Sequence, residues 1–266
     1  MIVKTSYANI YMKPTFKSEL VTQALIWDDL NVIDSLDNWY RIEHWDGYIG
    51  WINKFYITKI NKKKIDCYRI PFNSLKVYNS KKKRKIITHL LFGSYIPLKS
   101  HSKNFYELLM PDGKSGFATK FINSNDEKNI REKIIEKSIL FLGVPYLWGG
   151  SSAYGFDCSG FVQSIFKYFG FELERDTSLQ IKNNYLKVIE PPNAKKGDLI
   201  YFFINNVINH VGILIDSNRL IHASGNVLIE NIEDVVDRLK LNKNCKIDFE
   251  FRSVKKLIKS RVNYER

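Results

Sequence analysis

The hydrophobic pattern changes character once along the chain. Up to about residue 125, apolar residues come in short runs separated by turns such as Asp46-Gly47 and Pro111-Asp112-Gly113, a pattern typical of hairpin strands. After a polar stretch, apolar residues recur at helical spacing: Ile130, Ile134, Ile135, Ile139 and Leu142. The pattern therefore predicts an all-β N-terminal region followed by a domain that contains helices.

The all-β region contains an internal repeat with a constant offset of 66 residues. Asn38-Trp39-Tyr40-Arg41-Ile42 returns as Asn104-Phe105-Tyr106-Glu107-Leu108, and the segment that begins at Gly47 returns at Gly113. About sixty residues of short strands suit a small closed barrel. We expect one barrel over residues 1–60, a second over 61–125 and a third domain over 126–266.

A second helical pattern begins at Cys158, behind a glycine-rich loop. Its apolar positions are Phe161, Val162, Ile165, Phe166 and Phe169, and Gly170 follows them. Cys158 is then expected at the N-terminus of a buried helix. There the helix dipole and unpaired N–H groups are predicted to lower the thiol pKa from about 8.5. The same N–H groups suit the oxyanion of a tetrahedral intermediate.

A cysteine nucleophile needs a base and a group that orients the base. Three of the five histidines lie in the barrel region with no motif around them: His44, His89 and His101. His210 and His222 lie in two apolar runs joined by a short turn, and such a hairpin can place both rings on one face. We predict that His210 takes the proton of Cys158 and that His222 fixes the tautomer of His210.

Composition and charge narrow the class of protein. With 44% hydrophobic and 26% charged residues, neither disorder nor a coiled coil fits, and no apolar run is long enough to span a membrane. The net charge is +13, and basic runs occupy Lys62–Lys64 and Lys81–Lys85. A polyanion such as nucleic acid or anionic cell wall is one interpretation. A solvated face is the other, and we expect no nucleic-acid partner because no binding motif accompanies the charge.

The cysteines and the start of the chain bear on the compartment. Cys67, Cys158 and Cys245 are too few and too scattered for a disulfide framework, and the absence of a CxxC pair argues against structural zinc. The first residues lack a basic segment followed by an apolar core. We therefore expect a reducing, cytoplasmic location. Export of a protein whose signal peptide has been removed is the alternative.

Several motifs of the third domain, taken together and in order, resemble the NlpC-type cysteine peptidases of the papain-like clan. They are Tyr146-Leu147-Trp148-Gly149-Gly150, Asp157-Cys158-Ser159-Gly160-Phe161, Lys196-Gly197-Asp198-Leu199, His210-Val211-Gly212-Ile213 and His222-Ala223. The repeated aromatic and glycine pattern of the barrels resembles bacterial SH3-like domains. Two such barrels ahead of such a domain are similar to γ-D-glutamyl-L-diamino acid endopeptidases of murein peptide processing.

The resemblance implies an α+β, papain-like catalytic domain with the cysteine helix packed on an antiparallel sheet. It implies Cys158 as nucleophile, His210 as base and His222 as the orienting third residue, without a metal or organic cofactor. Tyr146 matches a tyrosine whose hydroxyl supports the oxyanion, and a packed aromatic is the alternative. Trp148 matches a pocket wall, and a core tryptophan is the alternative.

The resemblance also implies substrate contacts. Asp157 and Ser159 match positions that bind the substrate's free amine and D-glutamyl carboxylate, and helix capping is the alternative. Ser178 is a further candidate. In the first barrel, Glu19 and Tyr48 are candidates to pair with the ammonium group and to bound the N-terminal alanine. The second barrel has lysines at both equivalent positions, which drift explains equally well.

The function expected from this resemblance is hydrolysis of the γ-D-glutamyl–diamino acid bond of murein peptides, in particular short peptides with a free N-terminal L-Ala. Hydrolysis of intact peptidoglycan is one alternative. Acyl transfer by the same Cys-His-His set and an inactive wall-binding protein are the others. The preferred diamino acid and the oligomeric state are left open, and so are the roles of Cys67, Cys245 and the C-terminal tail.

Overall fold

The structure is a computed structural model that describes residues 1–60, 67–121, 129–240 and 245–259. The chain divides into two compact units between residues 126 and 127. In its described part the first unit holds strands and one 3-10 turn, whereas the second combines helices with an antiparallel sheet. The predicted fold class, an all-β region followed by an α+β domain, is confirmed. The described residues include no helix long and apolar enough to cross a bilayer.

The first part of the N-terminal unit is a five-stranded antiparallel sheet with a separate strand pair. Its elements are β1 (Ile2–Val3), β2 (Tyr7–Tyr11), β3 (Leu20–Leu25), β4 (Asn31–Leu36), β5 (Trp39–Glu43), β6 (Ile49–Asn53), a 3-10 turn (Lys54–Tyr56) and β7 (Ile57–Thr58). The sheet order is β3-β2-β6-β5-β4, and β1 pairs with β7. Alternate residues of these strands point inward, so Ala8, Ile10, Ile42 and Ile52 form a closed apolar core.

The second part repeats the five-stranded order and adds β8 at the edge beside β11. Its strands are β8 (Cys67–Arg69), β9 (Ser74–Tyr78), β10 (Ile86–Leu91), β11 (Tyr95–His101), β12 (Phe105–Leu109) and β13 (Ser115–Thr119), in the order β10-β9-β13-β12-β11-β8. Adding 66 to the bounds of β3, β5 and β6 gives those of β10, β12 and β13, so the predicted repeat is confirmed at the level of strands.

The two basic runs differ in what the structure describes. Lys81–Lys85 forms the exposed tip of the hairpin between β9 and β10, closed by a 2.9 Å bond from the Asn79 N–H to the Lys85 carbonyl. Two of these five cations lie over aromatic rings of the same part, Lys81 over Phe117 and Lys83 between Tyr78 and Phe105. Lys62–Lys64 lies outside the described residues.

The C-terminal unit is built on a six-stranded antiparallel sheet. Its elements are α1 (Ile130–Ile139), β14 (Ser151–Ser152), β15 (Gly155–Phe156), α2 (Cys158–Tyr168), α3 (Thr177–Gln180), β16 (Lys187–Ile189), a 3-10 turn (Pro191–Asn193), β17 (Leu199–Ile204), β18 (Val207–Leu214), β19 (Arg219–Ser224), β20 (Asn226–Asn231), α4 (Ile232–Lys240), β21 (Ile247–Ser253) and α5 (Lys255–Lys259). The sheet order is β16-β21-β17-β18-β19-β20. Helix α2 packs on β18 and β19, and α4 packs on β20 and β21.

Both predicted helices are present, at α1 and α2. Helix α1 ends at Ile139, earlier than the apolar spacing to Leu142 indicates, because residues 140–143 form turns that end at Gly143 with φ of +83°. Helix α2 is buried along most of its length, including Phe161, Val162 and Ile165. It therefore holds its first residue firmly against the sheet.

An irregularity in the sheet determines where His210 lies. Phe202 of β17 pairs with His210 of β18, but the next residue, Phe203, pairs with Ile208. Asn209 is thus an extra residue in β18, as in a β-bulge. The His210 ring lies 6.0 Å from the Phe202 ring, centroid to centroid.

Candidate active site

Cys158 is the first residue of α2, as the sequence predicts. Asp157 is the N-cap, and its carboxylate accepts a 2.6 Å hydrogen bond from the Gly160 N–H. A Cβ atom at Gly160 would lie 2.2 Å from the carbonyl oxygen of Gly150. Glycine at this position therefore lets the preceding loop pack directly against the first turn that carries the nucleophile.

The environment of the Cys158 thiol differs from the sequence-based prediction. Backbone hydrogen bonds from Val211 and Ser159 favour the thiolate, as the helix N-terminus does. Burial has the larger effect, and the Asp157 carboxylate adds to it, so the pKa of the thiol is raised to about 12 instead of lowered. The predicted decrease was wrong because it considered the helix end without the loss of solvation. The resting group is a thiol and needs a base.

His210 and His222 form a buried hydrogen-bonded pair. His210 Nε2 lies 2.6 Å from His222 Nδ1, and the two residues are 9% and 0% exposed. Burial lowers the pKa of His210 well below its usual value. Burial, with the cation of Arg238 adding, lowers the pKa of His222 to about 3. Both rings are therefore neutral at neutral pH, and His210 has one ring nitrogen left for a proton from Cys158.

The hydrogen-bonded chain continues beyond His222 to residues that the sequence analysis missed. His222 Nε2 lies 2.7 Å from Glu230 Oε2, and Arg238 Nη2 lies 2.7 Å from the same oxygen. Arg238 also donates to the Ser224 hydroxyl at 2.8 Å. A signal for Glu230 was present: a tight turn at Gly225 pairs His222 with Leu228, which places Glu230 on the same face of the sheet as His222.

A second cluster lies behind the cysteine. The Arg175 side chain is 1% exposed, and its Nη1 donates to Asp157 Oδ1 at 2.9 Å and to the Ser159 hydroxyl at 3.0 Å. Arg175 Nη2 pairs with the other Asp157 oxygen, which also accepts from the Gly149 N–H at 3.0 Å. No role for Arg175 was predicted from the sequence, although Ser178, three residues later, was a candidate for substrate contact. Asp157 performs the capping role considered as the alternative, and the substrate contacts of Asp157 and Ser159 remain predictions.

Three other predicted residues lie in the same unit. Tyr146 is partly buried, and burial together with Cys158 and Asp157 raises the pKa of its hydroxyl, which stays protonated near the thiol. Trp148 is 63% exposed, which excludes the alternative of a core tryptophan. Ser178 is exposed on α3. Their contacts with substrate remain predictions.

Glu19 and Tyr48 belong to the first unit. Glu19 is exposed, just before β3, and Tyr48 is half-buried with its N–H donating to Asp46 at 3.1 Å. Their roles at the amino end of a substrate remain predictions. All three cysteines are free thiols, and Cys67 and Cys245 lie outside the clusters described above.

The site has the parts needed for attack on a carbonyl carbon. The Cys158 N–H has no hydrogen-bond partner within the described ranges and lies at the positive end of α2, and the Tyr146 hydroxyl is close enough to the thiol for the thiol to affect its pKa. These two donors suit an oxyanion. The described residues contain no group of three or more His, Cys, Asp or Glu arranged to hold a metal ion.

Comparison with known proteins places these residues in a family context. Residues 143–240 match the NlpC/P60 family, and residues 10–54 match the bacterial dipeptidyl-peptidase SH3 domain. The chain is 28% identical over 232 residues to a gamma-D-glutamyl-L-lysine dipeptidyl-peptidase of Bacillus cereus, covering 79% of this chain and 68% of that protein. It is 32% identical over 189 residues to a protein of the same name from Bacillus subtilis, covering 66% of this chain and 60% of the relative.

A solved structure is similar across both units. An NlpC/P60 family protein from Bacillus cereus aligns with 87% of this chain and 93% of its own, with a TM-score of 0.76 and 24% identity. At this identity the likeness establishes the fold and leaves the activity to the site.

Proposed function

We propose that this chain, which carries an NlpC/P60 domain behind a bacterial SH3 domain, is a cysteine peptidase that hydrolyses the γ-D-glutamyl–diamino acid bond of peptidoglycan peptides. One observation carries the proposal. A buried cysteine at a helix N-terminus accepts a hydrogen bond from the N–H of Val211, and the residue before Val211 is His210, which forms a hydrogen-bonded pair with His222. The names of the Bacillus relatives, gamma-D-glutamyl-L-lysine dipeptidyl-peptidases, support this substrate class.

The acylation step follows from the protonation states. The Cys158 thiol transfers its proton to the free ring nitrogen of His210, and the sulfur bonds to the γ-carbonyl carbon of the D-glutamyl residue. The carbonyl electron pair moves onto oxygen, where the Cys158 N–H and the Tyr146 hydroxyl stabilise it. When the intermediate collapses, the carbon–nitrogen bond breaks and the departing amine takes the proton from His210. A thioester and a free diamino acid result.

Hydrolysis of the thioester uses the same groups. His210 takes a proton from a water molecule as its oxygen attacks the acyl carbon, and it returns the proton to the sulfur as the carbon–sulfur bond breaks. Burial raises the pKa of the thiol and lowers the pKa of His210, and both directions favour a neutral thiol and a neutral imidazole before the sulfur attacks. The base is therefore needed in both steps.

The substrate within this class is part of the proposal. We propose short L-Ala-γ-D-Glu-diamino acid peptides with a free amino end, met in the cytoplasm. Glu19 and Tyr48 are the residues proposed for the amino end, and Ser178 is a further substrate contact. The preferred diamino acid is left to experiment.

Mass spectrometry of the purified full chain with four peptides tests the proposal. The peptides are L-Ala-γ-D-Glu-L-Lys and L-Ala-γ-D-Glu-meso-diaminopimelate, each with a free and an acetylated amino end, and Cys158→Ala is the inactive control. We expect release of the free diamino acid from unblocked peptides only. Glu19→Gln then separates the role of this carboxylate from a general preference for small peptides.

The other outcomes identify the alternatives. Equal cleavage of blocked and unblocked peptides would contradict the roles of Glu19 and Tyr48 and favour a hydrolase of intact peptidoglycan. Formation of a Cys158 acyl adduct that is passed to an added amine instead of water would indicate acyl transfer. Failure of folded protein to cleave any of the peptides would overturn the peptidase proposal.

A further inference from the structure

We propose that Glu230, held by Arg238, is a positioning residue that fixes the tautomers of both His222 and His210 and so keeps the nitrogen of His210 that serves Cys158 free of a proton. The effect of Glu230 on catalysis rests on the function proposed above. Its effect on the two tautomers does not, since it follows from the buried hydrogen bonds alone.

A histidine pair cannot fix its own tautomers. A neutral imidazole has one N–H and one bare nitrogen, and either ring nitrogen can take either role. The 2.6 Å contact between His210 Nε2 and His222 Nδ1 is satisfied with the proton on His210 or with the proton on His222. The second arrangement would leave the proton of His210 on the nitrogen that has to receive the proton of Cys158. A pair without a further partner is therefore ambiguous.

Glu230 removes this ambiguity. Its Oε2 lies 2.7 Å from His222 Nε2, and a carboxylate only accepts hydrogen bonds. His222 must then carry its proton on Nε2 and present a bare Nδ1 to His210. His210 must in turn carry its proton on Nε2. Nδ1 of His210 is left as the bare nitrogen, two rings away from the carboxylate that determines it.

Arg238 keeps Glu230 in this role. Its Nη2 lies 2.7 Å from the same Oε2, while Nη1 is anchored on the Ser224 hydroxyl at 2.8 Å. The Glu230 side chain is 19% exposed and that of Arg238 is 39% exposed, so the pair lies at the border of the core. The guanidinium can only donate, so it holds this oxygen in place as the acceptor for His222.

The charge of Glu230 also bears on the base. Among the described residues, the charged groups that act on the two rings are Glu230 from β20 and Arg238 from α4, and His222 acts on His210. Arg238 opposes a positive charge on His210, whereas Glu230 favours it. When His210 takes the proton of Cys158, Glu230 therefore stabilises the imidazolium. Removing the carboxylate should lower the pKa of His210 further.

The first test measures the tautomers directly in the unmodified protein. Nitrogen-15 NMR of histidine-labelled full chain distinguishes a protonated from a bare ring nitrogen at each site. We expect protons on Nε2 of both His210 and His222 at neutral pH. A proton on Nδ1 of either ring would overturn the proposal. This measurement needs neither peptide substrate nor a folded variant.

The second test compares Glu230→Gln with Glu233→Gln, a matched change at an exposed position of α4. A glutamine amide can donate as well as accept, so the tautomers are no longer fixed. We expect kcat/KM of Glu230→Gln to fall about tenfold or more and its acid limb to move to lower pH. Alkylation of Cys158 by iodoacetamide should slow in parallel, and Glu233→Gln should match the unmodified protein in all three measurements.

Each further outcome is decisive. If kcat falls in Glu230→Gln but the acid limb and the alkylation rate are unchanged, Glu230 has a structural role only and the proposal is wrong. If all three measurements are unchanged, Glu230 is not a positioning residue. If the unmodified protein cleaves none of the peptides, the proposed function fails, while alkylation and NMR still decide the role of Glu230. Glu230→Asp keeps the charge and should recover part of the alkylation rate.

Discussion

Two arginine–carboxylate pairs flank the site, and they differ in burial and in what they hold. The pair behind Cys158 consists of Arg175 and Asp157, whose side chains are 1% and 11% exposed. The pair behind the histidines consists of Arg238 and Glu230, whose side chains are 39% and 19% exposed. The first pair holds backbone, namely the N-terminus of α2 and the loop at Gly149. The pair of Arg238 and Glu230 holds the His222 ring through a single hydrogen bond.

The difference shows how one kind of ion pair serves two purposes. A fully buried arginine is costly unless all its donors are used, and Arg175 satisfies this by joining Asp157, Ser159 and Gly150. Its removal should therefore affect folding. A partly exposed pair contributes little to stability, since water replaces either partner. Removal of Arg238 should instead affect the chemistry.

Replacement of Arg175 is expected to have the largest effect on stability. Arg175→Met leaves the Asp157 carboxylate buried without its cation, and breaking a buried pair in this way costs about 3–5 kcal/mol. Hydrogen-exchange mass spectrometry of the peptide that carries α2 measures the loss within the C-terminal unit. Arg219→Met, which breaks the exposed pair with Asp216, is the control and should cost less than about 1 kcal/mol. Equal losses in the two variants would contradict the distinction.

Acid should lower the free energy of unfolding of the C-terminal unit, because this unit buries the neutral pair His210–His222. An unfolded histidine binds a proton below about pH 6.5, whereas folded His222 stays neutral until about pH 3. The unfolded state then binds more protons, so the free energy of unfolding falls as the pH falls across this window. Below about pH 6.5 the slope approaches about 1.4 kcal/mol per pH unit for each buried ring, so each ring contributes about 2 kcal/mol between pH 7 and pH 5.

Urea unfolding of the C-terminal unit at pH 7 and pH 5 measures this slope. The double variant His210→Gln/His222→Gln should show a flatter dependence, whatever its stability at pH 7. His101→Gln, at an exposed position of the second barrel, should keep the original slope. A double variant with the original slope would show that other groups cause the acid sensitivity.

A methyl group at Gly160 is expected to disturb the packing of the preceding loop against the first turn of α2, which carries Cys158. In Gly160→Ala the added Cβ would lie 2.2 Å from the Gly150 carbonyl oxygen, so the loop has to move away from α2. Overpacking of this kind costs about 1–3 kcal/mol. Urea unfolding and the alkylation rate of Cys158 should both change, because the loop and the first turn of α2 share Asp157. An unchanged alkylation rate would show that the thiol does not depend on this contact.

Arg238→Gln should have the smallest effect on stability, less than about 1 kcal/mol, because its partner Glu230 keeps access to water. Its effect on the alkylation rate of Cys158 should nevertheless exceed that of Arg219→Met. The two ion pairs are best distinguished by measuring both the stability and the alkylation rate of each single variant, Arg175→Met and Arg238→Gln. A larger stability loss in Arg238→Gln than in Arg175→Met would reverse our assignment of the two pairs.

The sequence predicted the elements of the site better than its electrostatics. The spacing of apolar residues located α2, and the turn at 216–218 located the hairpin that carries His210 and His222, since both are local patterns. The increase in the thiol pKa was missed because the helical spacing predicts a buried face of α2 but does not show how far the thiol of its first residue loses solvation. Arg175 was missed because Asp157 and Ser159, 18 and 16 residues earlier, become its neighbours only in the folded unit. Glu230 was missed because it reaches His222 only when β19 and β20 pair, although the turn at Gly225 signalled that pairing.

Because β18 contains an extra residue, the geometry of the site depends on the number of residues in this strand as well as on which residues they are. Asn209 takes no part in the chemistry, yet it separates the pairing of Phe202 with His210 from that of Phe203 with Ile208. Deleting Asn209 would retain every reactive group. The residues on one side of the deletion would, however, turn their side chains to the opposite face of the sheet. A relative that keeps cysteine and both histidines but lacks this residue would thus be an inactive scaffold by geometry alone.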